Sequence, residues 1–427
     1  MAGKRQKVYL GSIHLDCKPH SVLSAQVYHY LKSNDHYIVE DPSNADFIIL
    51  NSCGFIEWYE RSTEKAIKTY LSMNENTTLI VIGCLTRINR ERIEKFTRPV
   101  IITDLRELDD FFLRTSPFAR KDAFSNSELT NALSAERQHN NELVQFIENV
   151  MAAISSFLER IGISPFPMNK ISDEDKRRQK ILVDIGSGCI GNCSYCIIKK
   201  AKDTIQSRPI DDIIADIEKA SNVHENDTID LVADDCSSYG IDIGTSLLDL
   251  LDAIGSHFPS KGIDITYIYP RWLERHGKAF IERCRKYRIN SLNISMQSGS
   301  NLVLRLMNRR YNVSRILDII KEIKKASPST LVWTHFMVGF PGETRKEFMK
   351  TVRTTSSFHY WYVFKYSDRE GTRSVTLPGK VSFIIKSFRK LLLKMLLYLS
   401  IARGVIRNLF SLKRFKSPIH SKSGIND

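Results

Sequence analysis

The residues in this chain with the clearest capacity for chemistry are three cysteines. Cys189, Cys193 and Cys196 stand in a C-x3-C-x2-C spacing within Gly186-Ser-Gly-Cys-Ile-Gly-Asn-Cys-Ser-Tyr-Cys196. Gly186, Gly188 and Gly191 let the backbone wrap closely around whatever the thiols hold. Three thiolates this near one another can ligate an iron–sulfur cluster, which in full takes four. One iron then keeps an open position, as a catalytic metal site does and a structural site does not. A zinc site or three packed thiols are the alternatives. Zinc prefers four closed ligands, and no nearby Cys or His completes that set.

The elements around the trio place it. Lys180-Ile-Leu-Val-Asp-Ile185 is an apolar run that reads as a buried strand, so the cysteines leave a strand's C-terminal end, where α/β folds put their chemistry. From there the chain repeats strand and helix. Strands are expected near 181–185, 228–233, 263–268, 291–295, 330–338 and 360–366, which predicts an open (β/α)6 barrel. Helices are expected near 210–220, 246–255, 272–287, 312–326 and 343–356. Upstream, 7–11, 46–51, 78–83 and 100–103 read as strands, with helices around 20–32, 61–71 and from about 86. This is a doubly wound parallel α/β domain. Cys53 and Cys84 fall just past two of its strands, and Cys17 follows the first by a longer loop. Loops at one edge of a parallel sheet converge, so these three thiols form a candidate second cluster, with three packing residues as the alternative.

The two trios together resemble the radical S-adenosylmethionine (SAM) methylthiotransferases. The resemblance is carried by C-x3-C-x2-C with Tyr195 before its last cysteine, Cys17, Asn51-Ser-Cys53 and Gly83-Cys84-Leu85. Ser207-Arg-Pro209, Gln297-Ser-Gly-Ser300, Met307-Asn-Arg-Arg-Tyr311, Val338-Gly-Phe-Pro-Gly-Glu-Thr344, Tyr366-Ser367 and Gly371-Thr372 add to it. It implies two 4Fe-4S clusters and SAM as cofactors. Cys189, Cys193 and Cys196 would ligate the cluster that cleaves SAM to a 5′-deoxyadenosyl radical. Cys17, Cys53 and Cys84 would ligate an auxiliary cluster that supplies sulfur. Tyr195, Asp234, Asp235, Gln297, Ser298 and Gly339 would contact SAM. The implied reaction inserts sulfur into an unactivated C–H bond and methylates it with a second SAM. Where the family has Arg-Gly, this chain has Lys202-Asp203, and where it usually has Gln-Asp, Asp234-Asp235. Cys236 and Cys284 match no family ligand and read as inert thiols.

Subfamily signals diverge. Asp242-Ile-Gly-Thr-Ser246 and Cys196-Ile-Ile-Lys-Lys-Ala201 are similar to the tRNA threonylcarbamoyladenosine type, and Asn51-Ser-Cys-Gly-Phe-Ile56 to the ribosomal-protein type. The expected substrate is a modified adenosine of tRNA, with a protein side chain or a biosynthetic small molecule as alternatives. A non-catalytic iron–sulfur binding protein of the same fold is the reading from another class. An electron donor such as flavodoxin or ferredoxin is implied as a partner.

The net charge of +14 is concentrated in the tail. From Lys380 to Asp427 eleven Lys or Arg face one acid, leaving the remainder nearly balanced. After Pro378 the family continues into a small basic β-barrel, the TRAM domain, whereas the stretch that follows here does not alternate as strands do, so no such barrel is expected in it. Instead Phe388, Leu391, Met395, Leu399, Ala402, Ile406 and Leu409 line one helical face, and Lys386, Arg389, Lys390, Lys394, Arg403 and Arg407 the other. This predicts a basic amphipathic helix that packs on the barrel, or touches RNA or a membrane surface. Leu143, Phe146, Ile147, Val150, Met151, Ile154, Phe157 and Leu158 predict a further helix. The expected domains are 1–113, a helical insertion and linker over 114–178, the barrel over 179–378 and the tail over 379–427. The start shows no secretory signal and no stretch has transmembrane length, which with the cysteine usage points to a cytoplasmic protein.

Overall fold

The computed structural model describes residues 4–14, 17–73, 75–121, 123–125, 136–138, 180–202, 204–221 and 228–414. The first sheet contains β1 (Lys7–Ser12), β2 (Tyr37–Ile38), β3 (Phe47–Ser52), β4 (Thr78–Gly83) and β5 (Val100–Ile101), in the order β2-β1-β3-β4-β5 and all parallel. Its central strands are buried on both faces, which is why Phe47-Ile-Ile-Leu50 and Leu79-Ile-Val-Ile82 read as unbroken apolar runs. Helices Lys18–Ser33 and Glu57–Met73 are the crossovers. The expected helix from about Thr86 is instead two short ones, Leu85–Ile88 and Glu91–Glu94, because Asn89 leaves helical backbone between them.

The segment expected as a helical insertion begins otherwise. β6 (Ala123–Ser125) pairs antiparallel with β8 (Lys180–Asp184), and β7 (Glu136–Gln138) pairs parallel with β1. The candidate helix at Leu143–Leu158 lies outside the described residues. After β8, the short β9 (Gly186–Ser187) pairs antiparallel with β10 (Gln206–Ser207).

All six barrel strands are present: β8, β11 (Thr228–Val232), β12 (Gly262–Ile268), β13 (Ile289–Ile294), β14 (Leu331–Val338) and β15 (Tyr360–Lys365). They pair in chain order and in parallel, with β6 added beyond β8, and β8 and β15 do not pair with each other. The barrel is therefore open. Its helices start where side chains satisfy free backbone N–H groups: Ser246 caps Leu247–His257, Asn312 caps Val313–Ala326 and Thr344 caps Arg345–Thr354. The first sheet and the barrel form one compact unit that runs to Lys390.

The final helix spans Phe383–Arg414. Its first turns reverse the face expected to pack. Arg389 is buried and pairs with the Glu343 carboxylate at 2.6 Å, while Phe388 is 63% exposed. A carboxylate removed from water needs a counter-cation, and only the basic face supplies one. The helix beyond Lys390 belongs to a second unit. Among the described residues no helix is long and apolar enough to cross a membrane.

Candidate active site

The loop carrying Cys189, Cys193 and Cys196 is anchored on three sides. The β9–β10 ladder fixes its start; there Gly186 and Gly188 have φ of +151° and +90°, and a Cβ on either would strike the backbone of residues 204–207. Ser194 donates from its N–H to the Met307 carbonyl at 2.9 Å and from Oγ to the Leu306 carbonyl at 2.8 Å. Asn308 and Arg373 each donate to the Asn192 carbonyl at 2.6 Å. A rigid frame of this kind presets ligand positions.

Within the loop, a Cβ on Gly191 would lie 3.1 Å from Cys189 Sγ and 3.8 Å from Cys193 Sγ. The absence of that carbon keeps the space between the thiols clear. Arg309 is buried and donates to Cys193 Sγ at 3.4 Å, with the Tyr195 hydroxyl at 3.5 Å and its guanidinium 4.5 Å from the Tyr269 ring centre.

The second trio sits where three adjacent strands end. Cys17 follows β1 and precedes helix Lys18–Ser33, Cys53 follows β3, and Cys84 follows β4 and precedes Leu85–Ile88. Burial pushes the Cys17 thiol up to about 12, and Cys84 adds to this; burial likewise raises Cys53, with Cys17 adding. In the barrel loop burial raises Cys189, with Asp235 adding, and lifts Cys196 to about 11, with Cys193 adding. Burial and neighbouring sulfurs thus hold Cys17, Cys53 and Cys196 as thiols. Such thiols are not free nucleophiles, and they ionise when a cationic metal centre takes them as ligands. Among the described residues no three His, Cys, Asp or Glu side chains are placed to hold a single metal ion. The cleared space beside Cys189 and Cys193 and the three-thiol donor set fit a cluster in the barrel loop, and the second trio offers the same donor set at three adjacent strand ends.

The two trios face one ion pair. Lys202 Nζ lies 2.9 Å from Asp234 Oδ2, which also accepts the Gly188 N–H at 2.9 Å. The Lys202 charge favours the thiolate form of both Cys17 and Cys84, while the Asp234 charge opposes it at Cys17, Cys84 and Cys196. Lys202, half of the departure from the family pattern, therefore acts on the second trio and pairs with the Asp234 carboxylate that acts on both; Asp203 lies outside the described residues. Asp235 is buried, accepts from Ser237 and Ser238, and lies 3.4 Å from Cys189 Sγ. Both candidate carboxylates are thus already engaged.

The other candidates divide. Gln297 has φ of +63°, and its backbone bridges the ends of β13 and β14 through the His335 carbonyl and the Met337 N–H, each at 2.8 Å. Ser298 is fully buried with its hydroxyl 3.3 Å from that of Thr351, on the helix side of the sheet. Gly339 has φ of +76° and is covered by the Lys386 side chain, whose Cγ would lie 2.2 Å from a Cβ there. Cys236 and Cys284 are buried, Cys236 with its thiol against the Leu231 and Thr266 carbonyls.

Sequence reasoning missed an aromatic wall inside the barrel. Residues 331, 333, 335 and 337 of β14 are partly open, whereas the alternating residues are buried. His335 lies within 5.2–5.7 Å of the Trp333, Tyr267, Tyr362 and Phe364 rings. Phe364 meets Phe55 at 5.8 Å, Phe55 meets His14 at 6.4 Å, and His14 Nδ1 is 3.4 Å from Cys53 Sγ. Rings therefore run from the barrel wall to the second trio. Period-two spacing of Trp333 with His335 and of Tyr360, Tyr362 and Phe364 is the signal that marks one face.

Two family models match the chain: the Radical SAM superfamily over residues 183–355 and Uncharacterized protein family UPF0004 over residues 10–103. The ribosomal protein uS12 methylthiotransferase RimO of Pelobacter propionicus is 28% identical over 399 residues, covering 90% of this chain and 80% of that protein. The protein of the same name from Clostridium kluyveri is 29% identical over 400 residues, with the same coverage. Among solved structures, the radical SAM methyltransferase TsrM from Kitasatospora setae, with cobalamin and a 4Fe-4S cluster bound, has a TM-score of 0.53 at 10% identity. It covers 87% of this chain and 77% of that one, a likeness of fold.

Proposed function

The chain belongs to the radical SAM methylthiotransferase family, and from that premise we propose that it converts an unactivated C–H bond of a macromolecular substrate into a methylthio group. Membership brings two 4Fe-4S clusters and SAM. When bound, these supply the electron, the carbon radical, the inserted sulfur and the methyl group. Cys189, Cys193 and Cys196 hold the first cluster, and Gly191 leaves room for it. Cys17, Cys53 and Cys84 hold the second. Arg309 sets a positive charge against Cys193, and the anchored loop fixes the site's position.

The observation that supports this reading best is the Lys202–Asp234 pair, which adjoins thiols of both trios. The pair's charges act on Cys17 and Cys84 of one trio and, through Asp234, on Cys196 of the other. The reading requires a substrate carbon held within reach of both hydrogen abstraction and sulfur delivery.

For the substrate, the relatives' names favour a protein side chain, as in ribosomal protein uS12. The aromatic wall around His335 favours a second reading, a planar ring such as the adenine expected from the sequence, because flat rings stack on flat rings. Mass spectrometry of ribosomal proteins and of tRNA nucleosides, with and without the gene, separates the two by where the gene-dependent methylthio group appears. Anaerobically reconstituted, reduced protein that forms no 5′-deoxyadenosine from SAM would sink both.

A further inference from the structure

Beside the barrel cysteines, on the outer surface, lies a cavity of about 690 Å³ whose lining includes Arg305, Arg309, Arg310, Arg315, Asn308 and Glu274. Four guanidinium groups face one carboxylate. Arg305, Arg310 and Arg315 are exposed and make no ion pair among the described residues. Arg309 differs from them. It is 5% exposed, its Nε has no hydrogen-bond partner, and its Nη1 donates to Cys193 Sγ at 3.4 Å. One side chain therefore separates a basic surface hollow from a cysteine of the barrel trio. Asn308, beside it, holds the same loop through the Asn192 carbonyl.

We propose that this hollow is the docking site of an acidic one-electron carrier protein that reduces the cluster held by Cys189, Cys193 and Cys196. The inference rests on the cluster assignment above. The carrier gives up one electron and the cluster gains it, with no bond made or broken. Electron transfer weakens steeply with distance, so a carrier must come close to a cluster ligand, and Arg309, which lines the hollow, donates to Cys193 Sγ. Unpaired arginines suit an acidic partner, since a positive hollow speeds encounter and orients the complex. Arg309, wedged between the Tyr269 and Tyr311 rings, holds its charge in place.

The test uses the reconstituted full-length holoenzyme and a purified acidic flavodoxin as probe. Arg305, Arg310 and Arg315 are changed together to Ser, and separately together to Lys. Flavodoxin affinity is measured by anisotropy at several salt concentrations, and cluster reduction by stopped-flow absorbance. The Ser triple should weaken binding at low salt by about tenfold or more and lose most of its salt dependence, as removal of steering charges does. The Lys triple should stay near wild type. Reduction by dithionite, which needs no docking, should be unchanged in both. The proposal fails if flavodoxin binding is unaltered in the Ser triple. It also fails if the triple instead loses tRNA binding with carrier affinity intact, or slows dithionite and flavodoxin equally. If dithionite reduces no cluster in the wild-type protein, the cluster assignment itself is wrong and the docking inference falls with it.

Discussion

Arg369, on the loop after β15, reaches across to Glu60 of the first sheet's second helix, Nη2 to Oε1, at 2.5 Å. The residues are 309 apart in sequence, and both are buried, at 7% and 2% exposure. The same guanidinium donates to the carbonyl of Gly54, next to Cys53. The barrel's last loop thus fixes the backbone beside one thiol of the second trio. Arg92 also pairs with Glu60, at 3.1 Å. Removing one partner from a buried ion pair costs about 3–5 kcal/mol, and the remaining Arg92 contact puts Arg369→Leu near the lower end. Urea unfolding should show that loss. Iron bound by the Cys17, Cys53 and Cys84 site should fall while the barrel site still loads. A variant with unchanged urea midpoint and full iron would mean that the bridge carries no such role.

Gly191 gives a steric test of the barrel site. Its backbone is not in the left-handed region, so Ala brings no conformational penalty of that kind. The added methyl enters the space 3.1 Å from Cys189 Sγ and 3.8 Å from Cys193 Sγ. Gly191→Ala should therefore fold with wild-type thermal stability and bind about one cluster per chain rather than two. Iron and sulfide analysis reads this directly. Full loading would show that the thiols do not enclose a cluster where the glycine clears space.

His335 predicts a pH dependence. Burial lowers its imidazole from 6.5 to about 4, and the groups around it are Trp333, Tyr267, Tyr362, Phe364 and Asn293, none of them charged at neutral pH. The folded protein keeps this ring neutral, whereas the unfolded chain protonates it. Its contribution to stability is therefore full above pH 6.5 and is lost progressively between 6.5 and about 4. Unfolding free energy measured across that window should fall with acidification. In His335→Phe the slope should correspond to about one fewer proton taken up on unfolding. An identical slope in the variant would show that the imidazole is already charged in the fold.

These contacts also show what the sequence made legible. The six barrel strands were readable because parallel strands covered on both faces appear as apolar runs such as Ile181-Leu-Val183. The two trios stood out as candidates, Cys189, Cys193 and Cys196 by their spacing and Cys53 and Cys84 by their place just past β3 and β4, with Cys17 a longer loop beyond β1. The edge strand β6 was not readable, since three residues carry no period and its pairing with β8 is decided by tertiary contact. Arg389 shows a different limit. Amphipathic spacing names two faces but not which one packs, and Glu343, buried 46 residues upstream, decides for the basic one. Arg309 and Lys202 were visible as motif residues. Their roles come from distances to Cys193 and Asp234 that no local pattern encodes.

The sharpest prediction separates the two trios by function. Cys53 lies in the first sheet's domain, beside His14 and next to the Arg369 bridge, and Cys193 lies in the barrel loop beside Arg309. Cys53→Ala removes one thiol from the second site and leaves the barrel trio and its anchors at Met307 and Arg373 intact. With dithionite, this variant should still form 5′-deoxyadenosine, at a reduced rate of the same order as wild type, and make no methylthio product. Cys193→Ala removes a ligand of the cluster proposed to cleave SAM, so it should abolish both products. Liquid chromatography with mass detection follows 5′-deoxyadenosine and the methylthio product in one reaction. Misfolding would remove both activities from both variants, so only the asymmetry counts as support. Wild-type methylthio formation by Cys53→Ala would remove the second trio as the sulfur source, and the proposed reaction with it.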